Sequence, residues 1–311
     1  MRIGSGQNTY EWIEDWARVP ETPSHGQNGR THAAVVTEAG QVVVFCQADP
    51  AVLVFDGKGA LKRAWGDRFL GAHGMTLVKE DDQEYLWLTD QTSAEVVKTT
   101  LQGETVMNLT LPPDLPAYRE GRFSPTWVAV NEERFGGNGD IWVTDGYGRN
   151  HIHRYDRSGQ YLGSINGAEG QAGEFRCPHG IWVDTRKGAP ELYIADRGNR
   201  RVQVYDLEGR YKRVFGSDFL TSPCGFVTHG EQMFVPELRA RLTVLDRDDR
   251  PIGYLGENES VCDVAGWPNH SKELIQPGKF NSPHGMAAAP NGDLYVVEWI
   301  IGGRITKLAK A

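Results

Sequence analysis

Short apolar runs separated by turn residues recur along most of the chain, and residues 177–216 contain one complete set. The runs in this stretch are Ile181–Val183, Leu192–Ala195, Val202–Tyr205 and Val214–Phe215, with Gly188, Gly198 and Gly209 in the turns between them. Runs of this length broken by turn residues predict a four-stranded antiparallel meander. One such sheet has two exposed edges and is poorly stable alone, so the pattern predicts neighbouring sheets of the same kind.

The same unit recurs six times between Thr31 and Leu308. Its first strands begin THAAVV, AHGMTL, PTWVAV, PHGIWV, PCGFVT and PHGMAA. Repeats of this length with four strands are typical of propeller blades. We therefore predict an all-β, six-bladed β-propeller with four-stranded antiparallel blades around a central channel. A solenoid is the alternative, and it is disfavoured because the sequence has no polar capping repeats.

The two ends of the chain predict how the last blade is completed. Residues 1–30 do not fit the repeat, and the sixth unit stops after its third strand, at Lys307–Leu308. Residues 10–19 have the aromatic and apolar content of a strand. We therefore divide the chain into an N-terminal segment, residues 1–30, which supplies a ring-closing strand, and the propeller, residues 31–311.

The composition and net charge of the chain limit the kinds of molecule that it is expected to bind. The chain has 311 residues, of which 39% are hydrophobic and 24% charged, and a formal net charge of -8. An acidic balance argues against nucleic acid or an anionic membrane as the partner. No apolar run reaches the length of a membrane helix, and the N-terminus has no signal-peptide core. We expect a cytoplasmic protein that acts on a small-molecule substrate.

Histidine recurs at one position of the repeat. The first inner-strand position of the six units holds His32, His73, Thr126, His179, Cys224 and His284. His73, His179 and His284 stand in the near-identical contexts AHGM, PHGI and PHGM, in blades two, four and six. Imidazoles at one height on alternate blades would approach the channel from three sides.

Three neutral nitrogen ligands with an open fourth position are the pattern of a catalytic zinc site. Iron(II), manganese or copper are alternatives, because imidazole suits several metals. The competing interpretation is that histidine is a tolerated strand residue. His32 is either a further donor or ligand or lies one residue out of register, and the role of Cys224 stays open.

A second layer follows the acidic residues that end the second strands, Asp90, Asp145, Asp196, Glu237 and Glu298. These acids are expected to cap turns by accepting backbone N–H bonds. Tyr147 and Arg197 come just after two of them, on blades three and four. A phenol beside a metal can act as a base, and an arginine can hold a carboxylate through two hydrogen bonds. The alternative is that both are exposed turn residues.

Two stretches, TDGYGRNHIHRYDRSG and ADRGNRRVQVYDLEG, resemble NHL repeats. With its P-H-G motifs and Pro125–Thr126 in the third unit, the chain is similar to the peptidyl-α-hydroxyglycine α-amidating lyase family of six-bladed propellers. The resemblance implies zinc held by His73, His179 and His284. It also implies Tyr147 as the catalytic tyrosine, Arg197 as a carboxylate-binding or catalytic arginine, and Arg30 as the arginine of the first blade. Gly285 differs from the family, which often has an acidic residue after the third histidine.

These observations predict a metal-dependent lyase, with zinc or another divalent transition metal, acting on a small hydroxylated or carboxylated substrate. A metal-dependent hydrolase or lactonase of the propeller type is one alternative. Such enzymes use Asp, Glu and Asn around calcium, and calcium in a structural role is the other metal considered. A non-enzymatic NHL module that binds a protein partner is the second alternative.

Overall fold

The structure contains six antiparallel sheets; five are built from four consecutive short runs of the kind described above, and the sixth combines the last three strands of the chain with the first two. The computed structural model describes residues 1–112, 114–270 and 272–311. Within these residues no helix is both long and apolar enough to cross a membrane. The chain opens with β1 (Arg2–Ile3), β2 (Tyr10–Ala17) and the short helix α1 (Pro23–Gln27).

The remaining strands form the blades in chain order. Blade one contains β3 (Thr31–Val36), β4 (Val42–Cys46), β5 (Val52–Phe55) and β6 (Leu61–Trp65). Blade two contains β7 (Ala72–Glu80), β8 (Gln83–Asp90), β9 (Glu95–Thr100) and β10 (Thr105–Asn108). Blade three contains β11 (Trp127–Val130), β12 (Ile141–Thr144), β13 (Ile152–Tyr155) and β14 (Tyr161–Ile165). Blade four contains β15 (Pro178–Asp184), β16 (Glu191–Asp196), β17 (Arg201–Tyr205) and β18 (Tyr211–Phe215). Blade five contains β19 (Val227–His229), β20 (Gln232–Glu237), β21 (Arg241–Leu245) and β22 (Pro251–Leu255). Blade six contains β23 (Pro283–Ala288), β24 (Leu294–Glu298) and β25 (Arg304–Lys310). Single 3₁₀ turns lie at Gly6–Asn8, Pro116–Tyr118, Glu133–Phe135, Arg197–Asn199, Glu259–Asp263 and Lys272–Leu274.

The architecture is the predicted six-bladed β-propeller with four-stranded antiparallel blades. The chain forms two compact units. The first contains residues 1–70 and 219–311, with blades one, five and six, and the second contains residues 71–218, with blades two, three and four. Buried aliphatic and aromatic side chains fill the space between neighbouring sheets within each unit.

The N-terminal strand completes the sixth blade. The strand order of that sheet is β1-β2-β25-β24-β23, and β2 pairs with β25 from Tyr10 opposite Lys310 to Ala17 opposite Ile305. Residues alternate between the two faces of a strand, and Trp12 is buried against Phe280 at a ring separation of 4.7 Å. Without β2, the backbone N–H and C=O groups of β25 would be an open edge.

An ion network fixes β2 to the rest of its blade. The Arg304 guanidinium contacts the Glu14 carboxylate of β2 at 2.8 Å and the Glu298 carboxylate of β24 at 2.9 Å. Burial opposes charge on Arg304, but the two neighbouring carboxylates prevail and raise the pKa of the guanidinium. The three side chains therefore join three strands of one sheet.

The buried acid at the end of each second strand caps the loop that enters the first strand, as predicted. The carboxylates accept backbone N–H bonds in five blades: Gly71 to Asp90 at 2.8 Å, Ser124 to Asp145 at 2.7 Å, Arg176 to Asp196 at 2.8 Å, Ser222 to Glu237 at 3.0 Å and Ser282 to Glu298 at 2.9 Å. A buried carboxylate is stable when such bonds satisfy its oxygens. Each acid therefore fixes the loop through which its blade begins.

Replacing Trp12 by Ala tests the contribution of the N-terminal strand. We expect a loss of about 3–5 kcal/mol in the free energy of unfolding, because a buried indole is removed and a cavity remains. Urea denaturation gives the value. Glu11→Ala, on the exposed face of the same strand, is the control and should stay within about 0.5 kcal/mol of wild type. Equal stability of all three proteins would show that β2 is dispensable.

Candidate functional site

Four of the five histidine or cysteine residues at the repeated position sit in bulges at the start of a first strand. In blade two, Ala72 pairs with Asp90 and Met75 with Leu88, so the first strand advances one residue more than its partner. The same one-residue excess surrounds three further positions, His32, His179 and His284. A bulge bends the strand and redirects the side chain of the extra residue. These bulges therefore give the four histidines a common local geometry.

The glycine after the histidine allows close approach to the neighbouring blade. A Cβ on Gly74 would lie 2.4 Å from the Thr126 carbonyl oxygen, and a Cβ on Gly285 would lie 2.3 Å from that of His32. The same carbonyl oxygens accept hydrogen bonds from the preceding histidines: from His73 Nδ1 at 2.7 Å and from His284 Nδ1 at 2.8 Å. Gly285 is thus required at this position, since any side chain would collide with backbone.

The second unit brings four of the predicted site residues together. His73 Nε2 and His179 Nε2 are 3.2 Å apart, and each is 3.1 Å from the hydroxyl oxygen of Tyr147. Arg197 Nη2 donates to the same hydroxyl oxygen at 3.0 Å. Both histidines are fully buried, whereas Tyr147 and Arg197 are half-buried. Two imidazoles, a phenol and a guanidinium therefore share one partly accessible site.

Hydrogen bonding defines the protonation pattern of this group. A carbonyl oxygen is an acceptor, so the bond to Thr126 places the hydrogen of neutral His73 on Nδ1 and leaves a lone pair on Nε2. Tyr147 has one hydrogen and accepts from Arg197, so it can donate to one of the two imidazoles. The group thus brings the Nε2 lone pair of His73, the Nε2 atom of His179 and the phenol oxygen together, beside a fixed positive charge.

The donor set fits a divalent transition metal. Two nitrogen ligands at the zinc distance on a tetrahedron would be about 3.3 Å apart, close to the 3.2 Å between His73 Nε2 and His179 Nε2. Histidines that bind metals commonly donate their other nitrogen to a backbone carbonyl, as His73 and His284 do. Imidazole nitrogens are the ligands that zinc, copper, iron and nickel prefer.

Cys177 is a neighbour of the site that the sequence pattern does not single out. Its sulfur is 3.2 Å from Arg197 Nη2, the nitrogen that also contacts Tyr147. The Cys177 backbone has a left-handed φ of 56° and its N–H donates to the Asn150 side chain at 2.9 Å. The sequence feature that could have identified Cys177 is its position directly before Pro178–His179.

The first unit holds His284, His32 and Arg30. The rings of His284 and His32 are 4.4 Å apart and both side chains are buried. Arg30 donates to the Asn28 side chain at 2.6 Å, and its guanidinium lies 5.1 Å from the centre of the Trp299 ring. Burial lowers the pKa of the Arg30 guanidinium. Among the described residues no carboxylate forms an ion pair with Arg30.

A buried polar cluster adjoins the turn that carries Tyr147. The Tyr118 hydroxyl donates to Asp145 at 2.5 Å and lies 2.7 Å from His153 Nε2, and His153 Nδ1 is 2.7 Å from the Ser164 hydroxyl. Burial raises the pKa of the Asp145 carboxyl, although its hydrogen bonds act in the opposite direction. Burial, together with Asp145, also raises the pKa of Tyr118. For His153, burial and the nearby His151 lower the pKa to about 3, so its imidazole is neutral near pH 7.

Comparison with known proteins agrees with this fold and motif set. The domain family DUF5128, described as a 6-bladed beta-propeller, matches residues 136–242. The NHL repeat-containing protein 3 of Homo sapiens is 26% identical over 256 residues, which are 79% of this chain and 72% of the human protein. A solved streptogramin B lyase structure covers 99% of this chain, and is itself covered completely, with a TM-score of 0.64 at 13% identity. The last comparison shows a shared fold.

Two relatives are named as amidating lyases. The probable peptidyl-alpha-hydroxyglycine alpha-amidating lyase pgal-1 of Caenorhabditis elegans is 31% identical over 140 residues, 44% of this chain and 37% of that protein. The peptidyl-alpha-hydroxyglycine alpha-amidating lyase 1 of Drosophila melanogaster is 26% identical over 265 residues, 77% of this chain and 45% of that protein. The chain therefore resembles NHL-repeat six-bladed propellers and, among them, the amidating lyases, as its motifs predicted.

The buried His153 makes stability depend on pH. Its pKa is about 3 in the folded protein and near 6.5 in the unfolded chain, so between these values the unfolded state binds the proton that the folded state does not. Stability should therefore rise with pH up to about 6.5, by at most about 1.4 kcal/mol per unit from this residue. Asp145, whose carboxyl pKa is raised, acts with the opposite sign in acid.

Replacing His153 by Gln, the residue at the equivalent position of blade four, should remove this part of the pH dependence. Urea unfolding of wild type and variant between pH 4.5 and 7 measures the difference. His270→Gln, outside this cluster, is the control. Parallel stability curves for wild type and His153→Gln would mean that His153 does not stay neutral in the folded protein.

Proposed function

We propose that this chain is a metal-dependent lyase, with zinc the favoured metal, that acts on a small hydroxylated or carboxylated substrate. The observation that carries the proposal is the group formed by His73, His179, Tyr147 and Arg197 in the second unit. It combines metal-ligating nitrogens, a proton-transfer group and an anion-binding cation. Chains of similar sequence that are named as lyases support the same class of reaction.

His73, His179 and His284 are the proposed ligands. The first two are adjacent, and the third occupies the corresponding position of blade six, with the same bulge, the same following glycine and the same Nδ1 bond to a carbonyl. The bound metal would act as a Lewis acid that polarises the substrate oxygen. The role of the carbonyl bonds is to hold each imidazole in one tautomer and orientation.

Tyr147 is the proposed proton-transfer group. The donated hydrogen bond from Arg197 stabilises negative charge on the Tyr147 oxygen, which suits it to accept a proton from a substrate hydroxyl. In the proposed reaction the substrate O–H bond breaks, a C=O bond forms, and the adjacent C–N or C–O bond breaks. The proton is then returned to the leaving nitrogen or oxygen.

Arg197 and Arg30 are the proposed anion-binding residues. Arg197 is half-buried beside Tyr147, and its planar guanidinium can hold a carboxylate through two hydrogen bonds. Arg30 is half-buried without a carboxylate partner among the described residues, and its buried Nε has no hydrogen-bond acceptor. A half-buried guanidinium without a carboxylate partner favours an anionic ligand, because burying a charge without a counter-ion is costly.

The metal is tested by elemental analysis. Protein expressed with added zinc should contain about one equivalent of metal per chain, by the ligand argument. His179→Ala should lose most of it while the far-UV circular dichroism spectrum is unchanged. His229→Ala, outside the ligand set, should keep the metal. Wild-type protein that binds no transition metal at micromolar concentration would overturn the metal-dependent reaction.

The role of Tyr147 is tested by Tyr147→Phe. Turnover of α-hydroxyglycine derivatives and related hydroxy acids, followed by carbonyl release, should fall by about 10²–10⁴-fold, the usual effect of losing a general acid–base. Metal content should stay the same. Tyr211→Phe, on the outer strand of blade four, controls for loss of a tyrosine hydroxyl. Full activity of Tyr147→Phe would refute the proposed proton transfer even with the metal in place.

A further inference from the structure

The partner of the buried acid in blade three differs from its counterparts in blades four to six. In those blades an arginine opens the third strand and pairs with the acid: Arg201 with Asp196 at 2.7 Å, Arg241 with Glu237 at 2.8 Å and Arg304 with Glu298 at 2.9 Å. In blade three the residue opposite Asp145 is His151. Its Nδ1 is bonded to the carbonyl oxygen of Arg149 at 2.7 Å instead. Blade three therefore lacks the arginine–carboxylate pair of its neighbours.

Residues 114–123, which we call the strap, supply the missing partner. Tyr118, at the end of the 3₁₀ turn in the strap, donates its hydroxyl hydrogen to Asp145 at 2.5 Å. A second bond ties the strap to the same turn, from Arg149 Nε to the Ala117 carbonyl at 2.8 Å. Two hydrogen bonds therefore connect the strap to residues 145–150, the segment that carries Tyr147.

The hydrogen bonds behind Tyr118 have a single consistent direction. Tyr118 has one hydrogen, which goes to the carboxylate, so His153 must donate from Nε2 to the Tyr118 oxygen. His153 Nδ1 then accepts from Ser164, and Ser164 accepts from Tyr161 at 2.5 Å. Every member of this chain faces towards Asp145, which orients the Tyr118 hydroxyl.

Asp145 in turn holds the backbone just after Tyr147 and the loop that leads from the strap into β11. Its carboxylate accepts from the Arg149 N–H at 2.6 Å and from the Ser124 N–H at 2.7 Å. The turn packs directly on these groups, since a Cβ on Gly148 would lie 2.2 Å from the Asp145 carboxylate and 2.5 Å from the Arg122 carbonyl oxygen of the strap. A shift of the carboxylate is therefore a shift of the turn that carries Tyr147.

We propose that Tyr118 is a positioning residue for Tyr147, and that the strap, acting through the Tyr118–Asp145 hydrogen bond, controls the placement of the phenol in the proposed site. In blades four to six an arginine side chain of the same blade pairs with the acid, whereas in blade three a tyrosine side chain from outside the sheet takes that place. The catalytic part of this inference rests on the proposed role of Tyr147, and the structural part does not.

The test compares Tyr118→Phe, His151→Arg and the double variant by amide hydrogen exchange, which needs neither metal nor substrate. Tyr118→Phe should speed exchange in both 114–123 and 145–150 by about tenfold or more, as expected for losing a hydrogen bond to a charged group. The arginine in the double variant restores the pairing of blades four to six. Exchange in 145–150 should then return towards wild type while 114–123 stays fast.

His151→Arg alone should free the strap, because the arginine competes with Tyr118 for Asp145. Exchange should rise in 114–123 and stay low in 145–150. Tyr211→Phe, which removes a hydroxyl at the position of blade four equivalent to Tyr161, is the matched control and should leave 145–150 unchanged. Unchanged exchange in 145–150 after Tyr118→Phe, or no recovery in the double variant, would overturn the inference.

Activity adds a separate readout. If the proposed reaction is found, Tyr118→Phe should lower kcat by about tenfold with little change in KM, and His151→Arg should restore kcat in the double variant, since Tyr118 acts through Asp145. Loss of kcat without recovery, despite recovered exchange in 145–150, would contradict positioning through Asp145. If no lyase activity is found, the proposed function fails, while the exchange measurements still decide whether the strap controls the turn.

Discussion

The buried carboxylate at the end of the second strand is the interaction on which the site depends. In five blades it accepts the backbone N–H of the residue that leads into the first strand. The repeated histidine, threonine or cysteine follows two or three residues later, so one buried hydrogen bond per blade fixes the start of the strand on which that residue stands. Blade one has Cys46 at this place instead, and its buried thiol lies 3.6 Å from His25 Nε2 and donates to the Ala51 carbonyl at 3.2 Å. A buried acceptor of this kind is costly to leave unpaired, which makes the loop conformation unique.

A bulge and a glycine then orient the histidine on that strand. The one-residue excess at His73 and at His284 turns the imidazole towards the neighbouring blade of the same unit, and the following glycine allows the backbones to approach. The neighbour's carbonyl then takes the Nδ1 hydrogen and leaves the Nε2 lone pair available. The bulge, the glycine and the carbonyl acceptor thus have separate physical functions, and together they leave a nitrogen that suits the proposed metal.

The proposed chemistry is concentrated where the repeat is least regular. Blade three has threonine in place of histidine, tyrosine after its buried acid, and a tyrosine from the strap in place of the usual arginine. Functional groups commonly occupy the positions at which a repeat departs from its own pattern, because the remaining copies maintain the scaffold. Two of these departures, Thr126 and Tyr147, are also among the residues on which the resemblance to amidating lyases rests.

The sequence by itself determined the number of blades, the strands in each and the position at which histidine recurs, because strand alternation and turn chemistry are local properties of the chain. It also indicated the acids as caps and Tyr147 and Arg197 as neighbours of the histidines. Only the tertiary structure showed the bulges, the tautomer of His73, the contact of Cys177 with Arg197 and the hydrogen bond from Tyr118 to Asp145. The last three depend on groups 20 to 53 positions apart in the chain that packing brings together. No local pattern encodes such contacts, since they form only once strands have paired and loops or neighbouring sheets have packed against them.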